Sequence, residues 1–307
     1  MINKIFLFLS LFVNLSSEYA INSLFNKWNC IAIKDKIDTN IPYKVNIGDL
    51  SLILLKNDTR FYSTYSKCKH LGYDLNNGYI KNGCLVCPNH GLKYSENEKI
   101  GSTIEYQGKI FWSYKPDKLL PYTIPFYNNL KKIYMEIDMD CSLKESTFYL
   151  LDFKNSQLKF LNNYYNNNYK EFYNKDNSIG LLLEICLNKK NISTYYKFNY
   201  PNNILQKINI DKNNNLIISI DLLPISKKKT KWFVTILHNN KNNDYTEKMI
   251  KNNLIKDKNN LLNYSYFNEH INHLNKINNM FNNYYIYPTI FSSIFLYKDF
   301  AKIYTSL

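Results

Sequence analysis

Arginine is almost absent from this chain. Arg60 is the only one among 39 basic residues in a length of 307. The formal net charge is still +14, so lysine carries it. Reading of base edges leans on the planar arginine fork, and sequence-specific nucleic-acid binding is not expected. A local lysine field that attracts an acidic electron donor stays open. Cysteine is scarce as well. Six cysteines in this length do not make the dense disulfide framework of a small secreted domain. Histidine, with five copies, leaves few ways to build a metal site. No long apolar run is evident: Ile5 to Val13 falls well short of the about 20 residues of a membrane span. No internal repeat of fixed period appears, which sets solenoids aside.

What is present is a core and a compositional drift. Apolar residues make up 45%, enough for two domains of ordinary size. Asn, Lys, Ile and Tyr are plentiful together, with runs at Asn166-Asn167-Asn168, Asn213-Asn214-Asn215 and Lys227-Lys228-Lys229. That pattern suggests an A+T-rich coding sequence, and triplets such as Asn57-Asp58-Thr59 are then expected by chance. At the N-terminus, Lys4 precedes the apolar run in the manner of a targeting segment or membrane tether. The alternative is an apolar helix packed on the protein. Residues 1–23 are set apart on that ground.

Chemistry concentrates in two short motifs. Cys68-Lys69-His70 is followed, 16 residues on, by Cys87-Pro88-Asn89-His90-Gly91. Each places a thiolate and an imidazole on one tight loop. Two such loops can hold a [2Fe–2S] cluster with two thiolates on one iron and two neutral imidazoles on the other. Gly72 and Gly91 let backbone N–H groups turn toward the cluster sulfurs and tune the potential. The competing reading is zinc, through Cys84-x-x-Cys87 completed by Cys68, His70 or His90. C-x-H is an uncommon first arm for zinc, and Cys84 is expected to be a buried strand cysteine.

The stretch "CKHLGYDL…NGCLVCPNHGLKY" resembles the Rieske domain of ring-hydroxylating and pheophorbide-type oxygenases. Trp28 to Ile33 resembles its opening strand and Lys109 to Trp112 a closing one, so the resemblance spans about residues 24–116. It implies a Rieske [2Fe–2S] cofactor held by Cys68, His70, Cys87 and His90. Respiratory and photosynthetic Rieske proteins carry two further cysteines that bridge the loops. Here Tyr73 and Asn89 stand in those places, which favours the lower-potential, oxygenase-like branch within a class range of about −150 to +300 mV. His70-Leu71-Gly72 is shared with the respiratory type.

The fold class expected is α+β: an all-β Rieske domain over 24–116, a linker over 117–125, and an α+β helix-grip domain of the oxygenase type over 126–307. Tyr43 to Ile47, Leu50 to Leu55 and Phe61 to Tyr65 read as strands, with turns at Asn76-Asn77-Gly78 and Lys81-Asn82-Gly83. In the second half, Lys132 to Met139, Gly180 to Leu187, Leu216 to Ile225 and Thr230 to Leu237 read as strands. Gln157 to Tyr173, Lys248 to Met280 and Ile290 to Ile303 read as helices.

The oxygenase family also implies a mononuclear Fe(II) held by two His and a carboxylate. The segment Lys159 to Tyr165 resembles the family's lead-in to that site. In that register Asn162 replaces an Asp, Tyr165 the first His and Lys170 the second, so the expected ligands are missing. A rebuilt site is open at His270 and His273, three apart on one helical face, with Asp257 or Glu269. The bland alternative is an exposed polar helix, and for Asp257 a solvated acid. His238 is expected at the surface or a sheet edge.

Three functions follow. The first is a Rieske-type oxidoreductase of the oxygenase kind, fed by a reductase or ferredoxin, working as a homo- or hetero-trimer in the cytosol or an organelle. The second is an electron-transfer or scaffold subunit whose oxygenase domain is degenerate. The third is a zinc-stabilised binding module.

Overall fold

A computed structural model describes residues 24–151, 169–174, 178–187, 190–209, 215–239, 248, 250–256 and 259. Among them are sixteen strands, β1 to β16, and a helix, α1 (Leu143–Leu151); residues 250–256 are also helical. The chain divides into two compact units between Pro121 and Tyr122.

The first unit is built from three small antiparallel sheets. β1 (Asn29–Ile33), β9 (Lys109–Ser113) and β8 (Ser102–Tyr106) form one, in the order β1-β9-β8. Opening and closing segments therefore pair with each other, Asn29 opposite Trp112. β1 and β9 are buried along their whole length, which is why they read as continuous rather than alternating runs. β2 (Tyr43–Ile47), β3 (Leu50–Lys56) and β4 (Phe61–Tyr65) form the second sheet. β5 (Tyr79–Lys81), β6 (Cys84–Val86) and β7 (Lys93–Tyr94) form the third. Between β5 and β6 the two-residue turn has Asn82 at φ 52° and Gly83 at φ 69°, the left-handed pair that a tight hairpin requires.

The second unit carries a seven-stranded antiparallel sheet in the order β10-β16-β15-β14-β13-β12-β11. Its strands are β10 (Lys131–Met139), β11 (Tyr169–Asn174), β12 (Ser178–Leu187), β13 (Lys190–Asn199), β14 (Asn203–Asn209), β15 (Asn215–Ser226) and β16 (Lys229–His238). Trp232, Val234 and Ile236 alternate along one face of β16 and are fully buried. α1 packs on β15 and β16, and Trp232 Nε1 donates to Ser146 Oγ at 3.0 Å. Ser142 and Glu145 close a reciprocal cap at the start of α1, Ser142 N to Glu145 Oε2 at 2.7 Å and Glu145 N to Ser142 Oγ at 3.2 Å. The mixed α+β class is as expected.

Three expectations are corrected. Residues 169–173 are strand, not the end of a helix from Gln157: β11 pairs residue by residue with β12, and ladder formation overrides local propensity. Lys170 lies opposite Leu182 on that strand, so a helical His-x4-His register does not run through it. The rest of that segment, including Asn162 and Tyr165, lies outside the described residues. The helix expected from Lys248 is seen at 248, 250–256 and 259; Ile290 to Ile303 and residues 1–23 lie outside the described residues.

His238 is neither at the surface nor at an edge. It is 2% exposed, because β16 is interior and His238 lies opposite Lys131 on one side and Leu216 on the other. Burial, with the Lys131 charge beside it, lowers its pKa below the ordinary 6.5. The unfolded chain takes up a proton on this ring near pH 6.5, whereas the folded chain resists it. The stabilising contribution is full above pH 6.5 and declines as pH falls toward the lower folded value. We expect His238→Gln to flatten the pH dependence of the melting temperature between pH 6.5 and 5. A curve parallel to the unsubstituted protein would disprove this.

Candidate functional site

The two motifs fold into the same six-residue loop. The first runs from Cys68 to Tyr73 and is closed by an antiparallel bridge between Lys67 and Asp74. The second runs from Cys87 to Leu92 and is closed by the pairing of Val86 with Lys93. In each, the cysteine N–H donates to the carbonyl of the sixth residue: Cys68 to Tyr73 at 2.8 Å and Cys87 to Leu92 at 2.9 Å. In each, the N–H of the fifth residue returns to the cysteine carbonyl: Gly72 to Cys68 at 2.8 Å and Gly91 to Cys87 at 3.0 Å. Those fifth residues have φ of 72° and 70°. Open space surrounds both, so their glycine is demanded by backbone conformation rather than by crowding. The histidine is third in the first loop and fourth in the second, and the imidazoles face each other across the gap.

The thiols are inside and the imidazoles outside. Cys68 is 4% exposed and Cys87 1%. Both belong to an apolar core with Ile53, Leu55, Tyr62, Leu75, Leu85 and Tyr94. His70 and His90 are exposed, with ring centroids 4.9 Å apart. Burial pushes the Cys68 thiol up, but the Tyr94 hydroxyl, the His70 N–H, the Cys87 side chain and the Leu71 N–H outweigh it and hold the thiol below its ordinary pKa. Lowered thiol pKa favours thiolate, the form that binds metal. Tyr94 Oη donates to Cys68 Sγ at 3.1 Å and accepts from Lys69 N at 2.8 Å. Burial and the bond to Cys68 push the Tyr94 hydroxyl up to about 12, so it remains a donor across the working pH range.

Charges lie around this centre and not in it. Lys69 Nζ is 5.7 Å from the Tyr94 ring centre and 3.9 Å from Glu98 Oε1. Glu98 is held by Ser95 in a reciprocal cap. Asp74, at the foot of the first loop, accepts from Lys44 Nζ at 2.7 Å, and that bond keeps its carboxyl below the usual range.

The arrangement tests the two metal readings. A [2Fe–2S] cluster of the Rieske type needs two sulfur donors beside each other and two nitrogen donors beside each other. The Cys68–Cys87 and His70–His90 pairings fit that donor set. Zinc needs four ligands on one point. Among the described residues no three His, Cys, Asp or Glu side chains converge on a single ion. Cys84 opens the extended strand β6, and three residues of strand carry the chain about 10 Å before Cys87, so the pair makes no zinc knuckle. Cys84 is half-buried beside Tyr62 rather than fully buried.

Asp257, Glu269, His270 and His273 lie outside the described residues. Tyr94 is the residue at the candidate site that the motifs do not announce, and the shared Cys-x3-Gly spacing of both loops was the available signal for their equivalence.

The Rieske [2Fe-2S] domain family matches residues 27–110. No curated protein sequence matches the chain. Among solved structures, NdmA of Pseudomonas putida CBB5 with caffeine is similar at TM-score 0.68 and 14% identity, over 87% of this chain and 90% of that one. NdmB of the same organism is similar at TM-score 0.68 and 14% identity, over 85% and 91%. Dicamba monooxygenase bound to dicamba is similar at TM-score 0.59 and 16% identity, over 71% and 78%. At these identities the likeness is one of fold. Residues 27–110 are a Rieske [2Fe–2S] domain, and the chain has the fold of the Rieske non-haem iron oxygenases.

Proposed function

We propose that Cys68 and Cys87 hold one iron of the cluster, that His70 and His90 hold the other, and that the chain is an oxidoreductase of the Rieske oxygenase kind. The observation that carries this reading is the pairing of two buried thiols with two facing imidazoles on equivalent loops. When bound, such a cluster supplies one-electron transfer at a potential raised by its neutral imidazole ligands. The chain's own part is to keep the thiols dry, to aim N–H and O–H donors at Cys68, and to leave the imidazole edge at the surface, where a donor protein reaches it. The expected donor is a reductase or ferredoxin, and the expected compartment is the cytosol or an organelle. No helix among the described residues is long and apolar enough to cross a membrane.

A second reading, an electron-transfer or scaffold subunit in a homo- or hetero-trimer, is favoured by the described residues of the second unit, whose one histidine, His238, is buried in the sheet. Metal analysis of anaerobically prepared, iron-replete protein separates the two. About two irons and two sulfides per chain support the carrier. A further iron that disappears in His270→Ala and His273→Ala supports a working oxygenase centre. Zinc without sulfide removes the Rieske reading.

A further inference from the structure

The two cluster loops have no covalent tie between them, and their histidines are not held alike. His90 is gripped from both loops. Within its own loop, Asn89 Nδ2 lies 3.0 Å from His90 Nδ1 and 3.4 Å from Nε2. From the other loop, the Tyr73 ring meets His90 edge to face, with centroids 6.4 Å apart at 85°. Tyr73 is fixed for this by its own backbone: its carbonyl accepts from Cys68 N at 2.8 Å, the bond that closes the first loop. Tyr73 is 46% exposed, so it is not filling the domain core. The Asn89 contact uses a ring nitrogen, and an iron on that nitrogen displaces the amide. The Tyr73 contact is one between rings.

Resting on the cluster assignment above, we infer that Tyr73 is the noncovalent clasp between the loops, a positioning residue that holds the His90 imidazole in place and slows its release from iron. The clasp is aromatic: ring area does the work, and the hydroxyl does not. An edge-to-face contact of this kind corresponds to a change of about threefold to tenfold in a rate.

The test follows loss of the Rieske circular dichroism bands under a chelator in the full chain. Tyr73→Ala and Tyr73→Ser should lose the bands about fivefold faster, and the reduced-state electron paramagnetic resonance signal should broaden as the His90 geometry spreads. Tyr73→Phe should restore both. Asn89→Ala should stay within about twofold of the unsubstituted protein. Decay in Tyr73→Ala equal to the unsubstituted rate overturns the inference. So does faster decay that Tyr73→Phe fails to rescue, or that only tracks a lower melting temperature with an unchanged resonance signal. Absence of Rieske bands from the unsubstituted protein overturns the cluster assignment itself, and this inference with it.

Discussion

Cys68→Ser and Cys87→Ser should each bring bound iron and sulfide from about two per chain to background. Serine is a hard, protonated oxygen donor and does not replace thiolate on a soft site. Both positions also lie in an apolar core; at Cys68 the Tyr94 hydroxyl is at hand as a partner, whereas at Cys87 an unpaired hydroxyl costs about 1–3 kcal/mol. Loss of cluster should therefore come with some loss of stability. His70→Ala and His90→Ala should lose the cluster with less effect on the core, since both imidazoles are exposed. Cys84→Ser and Cys30→Ser are the controls. Neither residue belongs to the cluster loops, and both variants should keep full iron and sulfide. Loss of metal in Cys84→Ser, measured by colorimetric iron and sulfide assays, would restore the zinc-type reading.

Tyr94→Phe should leave iron content unchanged and lower the reduction potential. The hydroxyl donates to Cys68 Sγ, and a donor on a cluster sulfur favours the form with more negative charge, which is the reduced one. A hydrogen bond to a charged group has a net worth of about 1.5–3 kcal/mol, of which only the difference between the two redox states counts. With about 59 mV per factor of ten for one electron, a shift on the order of 50 mV downward is expected. Because the Tyr94 hydroxyl is pushed up to about 12, the difference between the two proteins should stay constant from pH 6 to 10. Potentiometric titration followed by circular dichroism measures it, and a potential unchanged by the substitution would show that the Cys68 contact is not maintained on the loaded protein.

Elements whose pattern is local were readable. β2 alternates in side-chain type, β3 is a short aliphatic run and β4 an aromatic and Thr-rich one, and the Asn82-Gly83 turn announces itself by the residues a left-handed pair needs. The cap of α1 is also written in Ser142-Leu143-Lys144-Glu145, a capping-box spacing, but the helix it opens has only nine residues. β11, β13 and β14 were harder. Their Asn and Lys content works against a strand reading, and these strands exist because each finds a partner in the ladder. The burial of His238 is not local either: strand order, which makes β16 interior, does not appear in any one strand's residues.

The domain type and the four candidate cluster residues were legible in the sequence alone, because ligand chemistry and loop length are local properties. C-x-H and C-x-x-H fix which atoms meet on each loop, and a glycine at the fifth place permits the turn. The folded chain decided how those loops serve the site. Only packing puts Cys68 and Cys87 into one dry core, sets the two imidazoles edge to face, brings Tyr94 from a neighbouring strand onto a sulfur and swings Tyr73 across to His90. Each of those contacts joins residues 17 to 26 apart in the chain, and distance along the chain says nothing of direction in space until the strands have paired.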